Sequence, residues 1–87
     1  MPRVFIPPLL RSLANGESEL VIEGDTVRTV IDNLELRFPG FRDRLCENDE
    51  LKPGLRVTVD SQVSVLGVLQ SVDPNSEVHF LPAISGG

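Results

Sequence analysis

The stretch "DTVRTVIDNLELRFPG", residues 25–40, decides how the rest of the chain is read. Val27, Val30, Ile31, Leu34 and Phe38 recur at the three- and four-residue spacing of one helix face, and this spacing predicts an amphipathic helix. Asp25 or Thr26 supplies a side-chain oxygen for the first turn. Pro39-Gly40 stops the helix. Arg28, Asp32, Glu35 and Arg37 form its solvated face. A helix with one apolar stripe needs an apolar surface to cover, and the flanking segments read as strands.

Toward the N-terminus, "RVFIP" (3–7) and "ELVIE" (19–23) are rich in β-branched residues and alternate, so they predict a hairpin with a long connection. Pro7-Pro8 ends or edges the first strand. Asn15-Gly16 marks a turn and Gly24 closes the hairpin. Toward the C-terminus, residues 41–54 read as a polar loop in which Phe41 and Leu45 pin a short helical turn. "LRVTVD" (55–60) alternates with Leu55, Val57 and Val59 on one face. "QVSVLGVL" predicts a short strand and turn, "DPNS" (73–76) a turn, and "EVHFLP" (77–82) the last strand. The expected architecture is an α+β roll, with a mixed sheet of four to five strands covered by one main helix.

The chain has 87 residues, room for a single domain of 1–82 with a flexible tail at 83–87. With no Trp or Tyr and four Phe, the core has to rest on Val, Leu and Ile. The formal charge is −5. Nucleic-acid binding requires a basic patch that releases counterions, and none is visible. Unlike fields speed encounter, so partner proteins with a basic face fit better. Cys46 is the only cysteine, which excludes an internal disulfide and a cysteine-built zinc site. No apolar run reaches the roughly 18 residues of a membrane span, and "MPRVFIPPLL" has no signal-peptide core. A cytoplasmic protein is expected.

The last seven residues, 81–87, read "LPAISGG". Glycine has no Cβ and turns freely, so Gly86 and Gly87 suit entry into a narrow channel. Pro82 restricts the root of the tail and biases Leu81 toward extension. The stretch Pro82, Ala83, Ile84, Ser85, Gly86, Gly87 spans about 20 Å when extended, enough to thread into a partner's active site.

Other candidates point to bland roles. Cys46 sits beside acids in "RLCEND", which suppress its thiolate, so a structural role is expected. His79 reads as a half-exposed strand residue, since a lone histidine makes no metal site. Asp49-Glu50 reads as a solvated loop. Nothing resembles a nucleophile–base pair or a phosphate-cradling loop, so the chain is not expected to be an enzyme by itself and to bind no metal or cofactor. An outward apolar patch drawn from Phe5, Leu55, Val57 or Phe80 is a candidate docking surface; the competing assignment puts the same residues in the core.

The opening "VFIPPLLR", the helix "GDTVRTVIDNLELRFPG", the strand "LRVTVD" and the ending "EVHFLPAISGG" together resemble the MoaD/ThiS sulfur carriers of β-grasp, ubiquitin-like fold. The ending looks closest to CysO-like carriers for cysteine biosynthesis. Asp60-Ser61 stands where these carriers commonly have Asn, and "DPNSEV" where they commonly have "DGDEV". The resemblance implies that a ThiF/MoeB-like enzyme, using ATP and Mg²⁺, adenylates the carboxylate of Gly87. Sulfur then replaces oxygen to give a thiocarboxylate. It also implies an acceptor enzyme: a cysteine synthase using O-phosphoserine or O-acetylserine first, then a molybdopterin synthase large subunit or a thiazole synthase. Two other functions are compatible. One is a protein modifier joined through Gly87 to lysines, although Lys52 as the sole lysine argues against self-linked chains. The other is a β-grasp interaction domain with an inert tail.

Overall fold

The computed structural model describes residues 1–82. Helix α1 (Val27–Arg37) starts at Thr26, whose side-chain oxygen accepts the Thr29 N–H at 3.2 Å. Val27, Val30, Ile31 and Leu34 are buried, each stabilising the fold by about 1.5–3 kcal/mol. Phe38 ends the stripe, packed against the core from just beyond the last helical turn. It is the C-cap, with φ −135°, because the Pro39 ring disfavours helical backbone at the residue before it. Its half-buried ring meets Phe41 edge-on at 6.4 Å.

The sheet beneath α1 has five strands. They are β1 (Arg3–Phe5), β2 (Glu19–Val21), β5 (Leu55–Val59), β6 (Gln62–Val63) and β7 (Glu77–Pro82). Their order is β2-β1-β7-β5-β6. β1 and β7 run parallel, and the other pairings are antiparallel. This is the β-grasp roll. Val4, Val57, Val78 and Phe80 share one core cluster with the buried face of α1.

Of three local features, the first and the last were not expected from sequence, and the second was. The long connection of the first hairpin is a 3-10 helix, Pro8–Ala14, whose chain is reversed by Asn15 (φ 55°) and Gly16 (φ 85°). Helix α2 (Phe41–Leu45) buries Phe41 and Leu45, which fits their pinning role. The segment after α2, read as loop, instead forms a small hairpin of β3 (Cys46–Glu47) and β4 (Glu50–Leu51). Asn48 (φ 54°) and Asp49 (φ 64°) make its two-residue turn. Paired left-handed residues suit a hairpin because their twist matches that of the strands.

Candidate functional site

The site is built around β7, the strand that carries the chain to its last described residue. β7 lies between β1 and β5, so it is hydrogen-bonded along both edges. Its inward residues, Val78 and Phe80, are buried, while His79 and Leu81 face out and Leu81 is 44% exposed. The backbone of Pro82 pairs with Leu55 at the end of the ladder.

A side-chain clamp holds the other end of β7. Asp60 and Ser61, with φ 53° and 71°, form the turn between β5 and β6. From this position the Asp60 carboxylate accepts the Glu77 N–H at 3.0 Å and the Ser76 hydroxyl at 2.9 Å. The Asp60 N–H in turn donates to the Glu77 carbonyl at 2.9 Å. These donors favour the charged carboxylate, the Glu77 N–H most and the Ser76 hydroxyl next, and hold the Asp60 pKa below its ordinary value. Sequence reasoning missed this role. Its signal was the Asp-Ser pair between two β-rich runs, where left-handed backbone suits a short polar side chain.

The outer face beside β7 is a stack of side chains. Phe5 and His79 are register partners across the parallel pair, and their rings lie 4.1 Å apart and 3° from parallel. The Arg3 guanidinium lies 5.9 Å from the Phe5 ring centre and pairs with Glu77, with Glu19 at 3.7 Å on its other side. His79 Nε2 is 3.8 Å from Glu77. His79 is therefore the half-exposed strand residue expected.

The candidate docking patch needs correction. Val57 and Phe80 are 1% and 2% exposed, so they belong to the core. The two-residue period of β5 places Leu55 on the same inner face, packed at the edge of that core. Only Phe5 of the four is on the outer face, half-buried under His79.

Cys46 opens β3, away from the five-stranded sheet. It is half-buried, and burial pushes its thiol pKa up more than Arg42 pulls it down. Ala83, Ile84, Ser85, Gly86 and Gly87 lie outside the described residues. Among the described residues, no three His, Cys, Asp or Glu side chains converge as a metal site, and no helix is long and apolar enough to cross a membrane.

The ThiS family model matches residues 4–87. Sulfur carrier protein CysO of Mycobacterium tuberculosis is 33% identical over 91 residues, an overlap covering 97% of this chain and 96% of that protein. A chain of the Amycolatopsis orientalis BexX/CysO complex superposes with a TM-score of 0.91 at 30% identity, covering 100% of both chains. The crystal structure of Mycobacterium tuberculosis CysO superposes with a TM-score of 0.89 at 26% identity, covering 97% of this chain and 100% of that one.

Proposed function

We propose, from the premise that this chain belongs to the ThiS family, that it carries sulfur as a thiocarboxylate on Gly87 and serves as co-substrate to partner enzymes. The chain is a sulfur carrier, a family role distinct from that of a catalyst. The observation that supports Gly87 as the loaded residue is the mounting of β7. A central strand, clamped at its start by Asp60 and paired through Pro82, holds the root of the tail on the rigid part of the fold. Residues 83–87 span at most about 17 Å when extended, enough for the last carboxylate to enter a recessed site while the domain stays outside.

The chemistry needs an activating partner because a carboxylate is a poor acyl donor. In a ThiF/MoeB-like enzyme, a carboxylate oxygen of Gly87 attacks the α-phosphorus of Mg²⁺-bound ATP and pyrophosphate leaves. Sulfide, or a persulfide sulfur, then attacks the acyl carbon of the adenylate. A C–S bond forms, the C–O bond breaks and AMP departs; a persulfide donor then needs a thiol to release the thiocarboxylate. This chain contributes positioning, since the partner holds the nucleotide and excludes water.

Similarity to a chain of the BexX/CysO complex supports an acceptor enzyme that docks the whole carrier. The CysO relatives favour a cysteine synthase as that acceptor over a molybdopterin synthase large subunit or a thiazole synthase. The reducing cytoplasm, where a sulfur nucleophile survives, is the fitting compartment. The test incubates the chain with a ThiF/MoeB-like enzyme, ATP, Mg²⁺ and sulfide, beside a variant lacking Gly86 and Gly87. Pyrophosphate release and sulfur incorporation are expected only with the full chain. Equal incorporation by both would overturn the assignment of Gly87.

A further inference from the structure

Residues 61–72, "SQVSVLGVLQSV", carry no charged side chain, on a chain of net charge −5. Within them Val63, Val65, Leu66 and Leu69 are exposed, Val65 by 95% and Leu69 by 66%. Single exposed apolar side chains need no explanation, but a contiguous group marks a contact surface. The exposure is built into the backbone. The Val27 N–H donates to the Gln70 carbonyl and the Val72 N–H to the Asp25 carbonyl, both at 2.9 Å, tying the stretch to the start of α1. Val68 is buried, and Gly67, at φ 56°, opens the 3-10 turn Gly67–Leu69. The Ser64 hydroxyl donates to the Gln70 side-chain oxygen at 2.8 Å and accepts the Leu66 N–H at 3.0 Å. With Val68 turned into the core, Val65, Leu66 and Leu69 are held facing out.

This turn stands between two clefts. One, of about 340 Å³, lies toward the start of β5, with Leu51, Leu55 and Leu69 in its apolar lining. Its charged residues are Arg28, Arg56 and Glu50. The other, of about 430 Å³, lies toward the end of β5, and its charged residues are Asp60 and Asp73. Val65 and Leu66 line both clefts, so they form the ridge that separates them. One flank of the ridge is therefore cationic on balance, and the other is anionic.

We propose that this ridge pairs with the same ridge of a second copy of the chain, as a two-fold dimer. A two-fold contact sets one patch against its own reversed image, so the patch has to be self-complementary. This one is. The Val65–Leu66 ridge of each copy enters the apolar cleft of the other, beside Leu55 and Leu69. The reversal sets the Arg28 and Arg56 flank of one copy against the Asp60 and Asp73 flank of the other. A different protein would have to supply ridge, cleft and both signs of charge, whereas a second copy carries all of them. The uncharged stretch matters too. Two chains of net charge −5 repel, and that repulsion is weakest where the facing surfaces bear no charge.

Side chains carry this contact. β6 is an edge strand, but its two residues are too few to add a ladder to a neighbouring chain. The dimer is also weak. A standard interface buries about 800 Å² on each partner, and four exposed side chains fall short of that. Pairing is therefore reversible and dissolves on dilution. The inference concerns how two copies meet and is independent of the sulfur chemistry, so the two stand or fall on different measurements.

The test is sedimentation of the full chain from about 10 µM to about 1 mM, the range in which a small interface associates. The mean mass should climb from that of one chain toward that of two. Val65→Ser should raise the dissociation constant at least about tenfold, because the contact loses a valine from each side. Its side chain lies outside the core, so the thermal midpoint should stay at the wild-type value. Leu9→Ser alters another highly exposed leucine and should leave association unchanged. Asp73→Arg makes the chain less negative, so net repulsion alone predicts tighter pairing. Opposed flanks predict weaker pairing, restored when Arg56→Asp is added. A mean mass of one chain throughout, or association that survives Val65→Ser, would overturn the dimer. Association lost with Leu9→Ser, or strengthened by Asp73→Arg, would overturn it equally.

Discussion

Substituting Gly24 by alanine tests how closely the sheet and α1 are packed, and hence whether the tail's platform is rigid. A Cβ built at Gly24 falls 2.7 Å from Val30 Cγ2, 2.8 Å from the Val30 backbone nitrogen and 3.1 Å from its Cα. Ordinary contacts begin near 3.4 Å. The Val30 side chain is able to rotate, but its backbone nitrogen is fixed inside a helix whose apolar face is fully buried. Relief requires α1 to lift by several tenths of an ångström, loosening Val27, Ile31 and Leu34 together. Overpacking of this kind costs about 1–3 kcal/mol. A domain of 87 residues has about 4–13 kcal/mol in total. At about 4–8 °C per kcal/mol for this size, the midpoint should fall by roughly 4–24 °C in calorimetry. Gly54→Ala is the control, since a Cβ there meets nothing within 4 Å. It should change stability by less than about 1 kcal/mol. A Gly24→Ala midpoint equal to that of Gly54→Ala would refute the packing argument.

Further outcomes follow from the core and from the carboxylates. Phe80→Ala removes a ring that is 2% exposed and should cost about 3–5 kcal/mol in urea unfolding. A loss below about 1 kcal/mol would contradict its place in the core. Asp60 and Glu35 both have pKa values held below their ordinary 3.8 and 4.5: Asp60 chiefly by the Glu77 N–H, Glu35 by the N–H groups of Arg42 and then Gly40. In this acid range the unfolded chain binds more protons than the folded one, so stability rises with pH. The contribution is complete above the unfolded values and is lost as pH falls through the lower folded ones. Urea midpoints should therefore decline from about pH 5 to pH 2. The pair Asp60→Asn, Glu35→Gln should flatten that decline, and an unchanged slope would sink the assignment.

The readability of the chain varied with the kind of signal. The stripe from Val27 to Leu34 and the alternation of residues 55–59 and 77–82 carry their period within a few residues. The order of the main elements along the chain and the roll they form follow from them together with the family resemblance. The β3–β4 hairpin was hidden because its strands have two residues each, too few to show a period. Its turn depends on left-handed backbone at Asn48 and Asp49. Which face of the sheet is covered was also hidden. Parity joins Val57 with Leu55, and Val78 with Phe80, but only the packed helix identifies the inner side. The role of Asp60 requires the turn after β5 to meet the start of β7, a contact between residues 17 apart in sequence.

The carrier account rests on what becomes of the carboxylate of Gly87. Its most direct test is the intact mass of the protein isolated from its native cell under non-reducing, amine-free conditions. The account predicts a fraction heavier by the difference between one sulfur and one oxygen atom, with the change located at the C-terminal residue. A chain that stays unmodified after incubation with ATP, Mg²⁺, sulfide and the cell's own activating enzymes would contradict it.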